Sequence, residues 1–251
     1  MAWQSFICSA DTHGNIIDKS YERYILQWIK DHKPKHRFLL GDFLDLKSLR
    51  NGAGEEDRAC GLKDDLMAGI RFLRAFKPHK LTLGNHDHRL WVMAASLKES
   101  LEYEYARQLK TQVENELKAL KCEWVEYDVK KGWMEIAPRG AISGPKLIGH
   151  GYAANMYPAK SMTLLTGTST LTGHTHAFDY WRQDNLAADE SYVSGCGCQI
   201  EQDYNRTHRR RLKHCHSFLV GVINDKTGAW QVWNVLKDNQ TGKWLDPKKM
   251  I

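Results

Sequence analysis

Five times along this chain a short apolar run stops at a glycine or aspartate with histidine, aspartate or asparagine beside it. Phe6–Cys8 leads into Asp11-Thr12-His13, Arg37–Leu40 into Gly41-Asp42, and Lys80–Leu83 into Gly84-Asn85-His86-Asp87. Lys146–Ile148 leads into Gly149-His150-Gly151, and Thr170–Leu171 into Gly173-His174-Thr175-His176. Short, unbroken apolar runs suit strands buried on both faces. The first three alternate with helical segments. Asp18 is placed to cap a helix running to about Asp31, with Tyr24, Ile25, Trp28 and Ile29 at helical spacing and Pro34 just past its end. Asp64 or Asp65 opens the next helix, which runs to Phe76. This alternation predicts an α/β sheet, and in open α/β sheets ligands bind beyond the carboxyl ends of the strands. Every motif falls at such an end.

The segment 88–121 reads as helical. Leu97, Leu101, Tyr105, Leu109, Val113 and Leu117 are spaced by four, which drifts roughly 40° per step on a helix of 3.6 residues per turn. The stripe therefore winds around a single helix, or the helix bends or breaks; packing on the domain is the expected role, and a cap over the site or a dimer surface the functional alternative. Gly52–Gly61 reads as a loop. After Cys122 the pattern turns to strands at Glu123–Val129, Trp133–Ala137, Phe178–Arg182, Tyr192–Ser194, Phe218–Ile223 and Trp230–Val235, with a helix over Pro158–Leu165. Asp225-Lys226-Thr227-Gly228 reads as a hairpin turn. With no repeat or linker composition, residues 1–251 are expected to form a single domain.

Composition removes several classes. Hydrophobic residues at 42% and charged residues at 26% fit a globular protein, and no apolar run reaches the length of a bilayer span. The N-terminal residues lack the features of a signal peptide, and six cysteines fall without paired spacings, so reduced thiols and a cytoplasmic location are expected. The net charge is +6, of which Arg206, Arg209, Arg210, Arg211 and Lys213 supply +5 with no acid among them. Such a cluster suits a phosphate-rich partner, DNA or RNA; a solvated turn between strands accounts for it equally well.

Imidazole, carboxylate and amide oxygen together suit borderline divalent metals such as Mn, Fe, Zn, Co or Ni. In an extended Asp-x-His or His-x-His, both side chains point the same way and reach one centre. In order and type, D-x-H, G-D, G-N-H-D, G-H and G-H-x-H resemble the motifs of the calcineurin-like metallophosphoesterases across residues 11–176. The resemblance implies a four-layer α/β/β/α sandwich of two mixed β-sheets with flanking helices, and two divalent metal ions, Mn foremost. It places one ion on Asp11, His13, Asp42 and His176 and the other on Asp42, Asn85, His150 and His174, with Asp42 bridging. His86 is then the non-ligand catalytic histidine beside the leaving oxygen, oriented by Asp87. Paired cations would clamp the phosphoryl group and activate water.

Gly41-Asp42-Phe43-Leu44-Asp45-Leu46-Lys47 departs from the phosphoprotein phosphatase pattern, because no arginine follows Asp45 to clamp a terminal phosphate. The third motif ends in Asp87, as in phosphodiesterase and nuclease branches. The leading expectation is a phosphodiesterase acting on nucleic acid, with the 206–213 cluster on the backbone. The alternatives are a phosphomonoesterase on a small metabolite, nucleotide or phosphoprotein, and a non-catalytic binding protein of the same fold. Cys196-x-Cys198 with His214, Cys215 and His216 raises a separate zinc site as a minor alternative, the spacing being tighter than structural zinc sites use. Trp3, Trp28, Trp124 and Trp230 are expected in packing roles.

Overall fold

A computed structural model describes residues 3–50, 54–55, 61–137, 140, 144–184, 186–201 and 213–247. Arg206, Arg209, Arg210 and Arg211, and most of the expected 52–61 loop, lie outside the described residues.

The strands are β1 (Trp3–Ser9), β2 (His36–Leu39), β3 (Lys80–Thr82), β4 (Glu123–Val125), β5 (Met134–Ala137), β6 (Lys146–Ile148) and β7 (Ser169–Thr172). They continue with β8 (Asp179–Arg182), β9 (Glu190–Val193), β10 (Ser217–Asn224), β11 (Trp230–Lys237) and β12 (Trp244–Leu245). The helices are α1 (Lys19–His32), α2 (Leu62–Phe76), α3 (Asn85–Ala94), α4 (Leu101–Ala119) and α5 (Pro158–Thr166).

Two mixed sheets form. The first has seven strands in the order β12-β11-β10-β1-β2-β3-β4, and the second has five in the order β5-β6-β7-β9-β8. In the first, β1 to β4 run parallel while β10 joins β1 antiparallel, with Phe6 opposite Gly221. In the second, β6, β7 and β9 are parallel, flanked by antiparallel β5 and β8.

Side-chain alternation divides the core. On one face of the first sheet Ile7, Leu39, Leu81, Phe218 and Val220 pack against Tyr21, Ile25 and Trp28 of α1, Ile70, Leu73 and Phe76 of α2, and Val113 and Leu117 of α4. The alternate residues Phe6, Cys8, Phe38, Leu40 and Leu219 meet Met134, Ile148, Leu171 and Tyr192 of the second sheet. Helix α5 covers the far side of that sheet, where Thr163 Oγ1 lies 2.6 Å from Ser191 Oγ. The result is the expected four-layer α/β/β/α sandwich.

Local signals behave largely as read. Asp18 caps α1, its side chain accepting from Tyr21 N at 2.8 Å. Asn224 closes the 225–228 hairpin, with Gly228 N donating to its carbonyl at 3.0 Å. Trp28 is buried and Trp124 and Trp230 partly so, whereas Trp3 is 56% exposed. The expected helix over 88–121 is two: α3 begins at Asn85 directly after β3, and the chain breaks between Ala94 and Leu101. The break divides the four-residue stripe. Leu109, Val113 and Leu117 are buried, while Leu97 and Leu101 are 98% and 85% exposed, so α4 packs its C-terminal half on α2 and α3. No described helix is long and apolar enough to cross a membrane.

Candidate metal centre

All seven expected metal ligands converge at one edge of the sandwich, beyond the ends of β1, β2, β3, β6 and β7. The backbone brings them there by a route other than the extended one. Asp11, His13, Asp42, His174 and His176 all have positive φ, at 52°, 47°, 49°, 77° and 58°. Left-handed non-glycine residues are uncommon and store strain, and such strain gathers at functional sites. Tight loops, rather than strand alternation, aim these side chains inward. The loops brace one another: Asp11 N donates to Gly41 O at 3.1 Å and His13 N to Asp42 O at 2.9 Å. Gly84 is required by close approach, since a Cβ there would fall 2.0 Å from Asp42 Oδ1.

Of four metal-capable donor groups among the described residues, two overlap at Asp42. Asp11, His13 and Asp42 form one, and Asp42, His150 and His174 the other. In the first, His13 Nε2 and His176 Nε2 face each other at 3.1 Å, with Asp11 Oδ1 3.4 Å from His176 Nε2. In the second, His150 Nε2 lies 3.2 Å from Asp42 Oδ2, and Asn85 Oδ1 is 3.1 Å from His150 Nε2 and 2.9 Å from His174 Nδ1.

Outer hydrogen bonds fix which nitrogen faces inward. His13 Nδ1 donates to Asp45 Oδ1 at 3.1 Å and His150 Nδ1 to Leu40 O at 2.7 Å, leaving each Nε2 for the site. Asp11 is fully buried, and its Oδ1 has no hydrogen-bonding partner among the described residues; the 3.4 Å contact with His176 is one of charge rather than aligned bonding. A buried, orphaned carboxylate oxygen facing ring nitrogens fits a divalent cation, which satisfies all of them at once.

Electrostatics agrees. Burial pushes Asp42 upward, but the His150, His86 and His13 charges overcome it and hold the carboxyl well below its usual range. Burial lowers His174 to about 4, with the charge of His150 assisting, and burial likewise lowers His13. Burial opposes protonation of His150 and His176 too, yet both rise to about 9: Asp42 dominates at His150, and Cys196 and Asp11 at His176.

The expected partner of His86 is corrected. Asp87 is the third residue of α3 and is buried, accepting from Gly84 N and from Leu44 N, both at 2.9 Å. One oxygen thus caps the start of α3 and the other holds the N–H of Leu44 in the loop after β2, and neither goes to the imidazole. Burial and the Asp42 charge push its carboxyl up to about 8. Asp45 takes the expected place. His86 Nδ1 donates to Asp45 Oδ1 at 3.0 Å and to Asp45 O at 2.9 Å, so one carboxylate oxygen joins His86 to His13.

Sequence reading missed two further residues. Asp65, buried in α2, accepts from Leu46 N at 2.7 Å and from Asp45 N at 3.2 Å, which fixes the loop carrying Asp45. Arg89, one turn beyond His86 on α3, donates to Asp45 O at 3.0 Å. The i, i+3 spacing of His86 and Arg89 was the available signal.

Cys196, Cys198, His214, Cys215 and His216 supply no metal-capable group of three by themselves among the described residues. Their segments instead buttress the centre: Cys198 N donates to Asp11 O at 3.0 Å and Cys215 N to His176 O at 2.9 Å. Of the five, Cys198 completes a metal-capable group with His13 and His176. The five described cysteines are free thiols. Lys213 is the one described member of the basic cluster; it is exposed and lines a cavity of about 780 Å³ that opens over Asp42, Asn85, His86, His174 and His176.

No curated protein matches this sequence. Among solved structures it resembles Vps29 of Chaetomium thermophilum, at 9% identity over 96% of this chain and 92% of that one, with a TM-score of 0.50. It also resembles a metallophosphoesterase of Sphaerobacter thermophilus, at 14% identity over 93% and 88% with a TM-score of 0.48. A dimetal phosphatase of Danio rerio is similar at 10% identity over 94% and 98%, with a TM-score of 0.41. The calcineurin-like phosphoesterase model matches residues 5–213, most of the chain, and with the motifs and fold above this protein belongs to the calcineurin-like phosphoesterase family.

Proposed function

We propose that the protein is a dinuclear-metal phosphodiesterase acting on nucleic acid. The observation that carries the reading is Asp42, a buried carboxylate shared by two groups of donors that each fit one cation. Asp11, His13, Asp42 and His176 would hold the first ion and Asp42, Asn85, His150 and His174 the second. Mn is the leading choice for this mixed nitrogen and oxygen set, with Fe, Zn, Ni or Co able to take the same donors. Bound there, the ions would supply positive charge to the phosphoryl oxygens and a nucleophile from water at neutral pH.

The remaining work falls to the chain. His86 lines the cavity with Nδ1 held by Asp45, so Nε2 is the nitrogen that passes a proton to the leaving oxygen. Burial works against its charged form, but Asp42 and Asp45 raise its pKa and keep the proton available. Asp87 sets the start of α3 and hence the placement of Asn85 and His86. The diester reading rests on the second motif, where Leu46 and Lys47 follow Asp45 with no arginine to clamp a terminal phosphate, and the nearby Arg89 is turned to Asp45 O. Lys213 on the cavity wall, at the end of the 206–213 basic stretch, supports a polyanionic substrate.

The test is hydrolysis of bis-p-nitrophenyl phosphate against p-nitrophenyl phosphate with Mn²⁺, alongside Asp42→Ala and His86→Ala. Diester preference lost in both variants is the expected result. Monoester preference would replace the substrate class and leave the metal site standing. Bound metal without turnover of either compound would point to a non-catalytic binding protein.

A further inference from the structure

The loops that carry the metal-site histidines also build an apolar wall. After His150 the chain runs through Ala154 and Met156 to Pro158, the first residue of α5; after His176 it runs through Ala177 to Phe178. All five residues line the cavity over the metal centre, where Met156 is 67% and Phe178 38% exposed. A phosphate bound at the centre would make no use of them. Large apolar side chains left open beside a polar site mark where the rest of a substrate sits.

The shape and chemistry of that wall select among occupants. Phe178 is fixed: its N–H donates to Cys215 Sγ at 3.4 Å, and the chain enters β8 directly after it. His214, edge-on to His176 with centroids 5.2 Å apart, and Lys213 stand in the same cavity, with Asn155 and Asp179 on the Met156 side. An acyl chain would offer nothing to hydrogen-bond with that rim, whose Asn155 and Asp179 also bond within the chain, to Ser161 Oγ and Ala159 N. A flat ring with a polar edge, attached to a phosphodiester, meets both the apolar face and the polar rim.

We infer that this cavity seats one unstacked nucleobase next to the scissile phosphate, against Phe178 and Met156, so that the enzyme takes single-stranded nucleic acid. The inference rests on the phosphodiesterase reading above and deepens it. A base held in a duplex cannot enter a pocket of this size without leaving its stack, whereas a base in a single strand is free to do so.

The experiment compares three Mn²⁺-dependent substrates: a single-stranded oligothymidylate, a strand of equal length with abasic tetrahydrofuran units, and a duplex. Base–aromatic stacking predicts roughly ten- to hundredfold higher kcat/KM for the thymidylate than for the abasic strand. Phe178→Ala and Met156→Ala should shrink that ratio toward one while leaving the rate on the abasic strand unchanged. Phe178→Tyr should restore it, which separates stacking from a loss of local structure. Equal rates on thymidylate and abasic strands, or a duplex cut as fast as the single strand, would overturn the subsite and leave the nuclease reading intact. Cleavage of bis-p-nitrophenyl phosphate with none of any strand would overturn the nucleic-acid reading and the subsite together.

Discussion

Replacing Asp45 by asparagine removes one charge from the centre of the site while preserving its outline. Asp45 Oδ1 accepts from His13 Nδ1 at 3.1 Å and His86 Nδ1 at 3.0 Å, and its side chain is only 11% exposed, so solvent screens little of either bond. Hydrogen bonds to a charged partner contribute about 1.5–3 kcal/mol against about 1 for neutral ones. Losing the charge from two such bonds removes about 1 kcal/mol from each. The His13 share should weaken Mn²⁺ binding about fivefold, and the His86 share should lower kcat about fivefold at saturating metal, together about thirtyfold in kcat/KM at limiting metal.

Steady-state kinetics on bis-p-nitrophenyl phosphate, with calorimetric titration of Mn²⁺, separates the two shares. A pH profile adds a readout that a merely structural role would not move. Burial lowers the His86 pKa, and Asp42 and Asp45 raise it above that pull. Without the Asp45 charge His86 loses its proton at lower pH, so the alkaline limb of kcat moves down. The loop itself should survive, because Asp65 holds the backbone N–H of residue 45 from outside. Metal affinity and kcat both within twofold of wild type, with an unmoved alkaline limb, would refute the argument that this carboxylate joins the two histidines.

Three further outcomes follow from the same geometry. Gly14→Ala should destabilise the protein by at least about 2 kcal/mol in urea unfolding, since φ is +50° and a Cβ would meet Asp65 Oδ1 at 1.6 Å; a loss under 0.5 kcal/mol would contradict it. Burial disfavours the charged forms of His150 and His176, but Asp42 at the first and Cys196 with Asp11 at the second raise both to about 9, so both carry protons at pH 7 until a metal takes their lone pairs. Saturating Mn²⁺ at pH 7 should release about two protons into weak buffer, and the release should fade as the starting pH passes about 9; release of under half a proton would refute the ligand assignment. Leu117→Ala should cost about 2–5 kcal/mol, whereas Leu97→Gln, at 98% exposure, should change stability by under about 0.5 kcal/mol; similar losses would mean the stripe is buried along its whole length.

Five apolar runs could be read as strands because β1, β2, β3, β6 and β7 pair in parallel within their sheets and are largely covered on both faces, so their sequences are apolar without alternation. The motifs beyond them were legible because each loop must turn sharply in little space, and glycine marks the turn. What the spacing of Asp11 and His13 could not reveal is the conformation between them. Extended and left-handed paths both bring the side chains to one centre, and only the second agrees with the observed φ values.

Long-range partners were the other hidden part, and Asp87 shows why. Adjacent in sequence to His86, it looked like the imidazole's anchor, yet a residue at the third position of a helix lies near the helix's own first N–H groups; one oxygen goes to Gly84 N there and the other to Leu44 N in the loop after β2. The true anchor lies 41 residues earlier, in the loop after β2, held in turn by Asp65 on the following helix. Sequence distance carries no such information. The same applies to α4: the four-residue stripe continues through Leu97 and Leu101, but the chain breaks after Ala94 and the core ends before them, so periodicity alone overstates the buried face. Strand ends in this fold therefore mark where the candidate ligands gather. The hydrogen bonds that tune them are set by which loops the sheet order brings side by side.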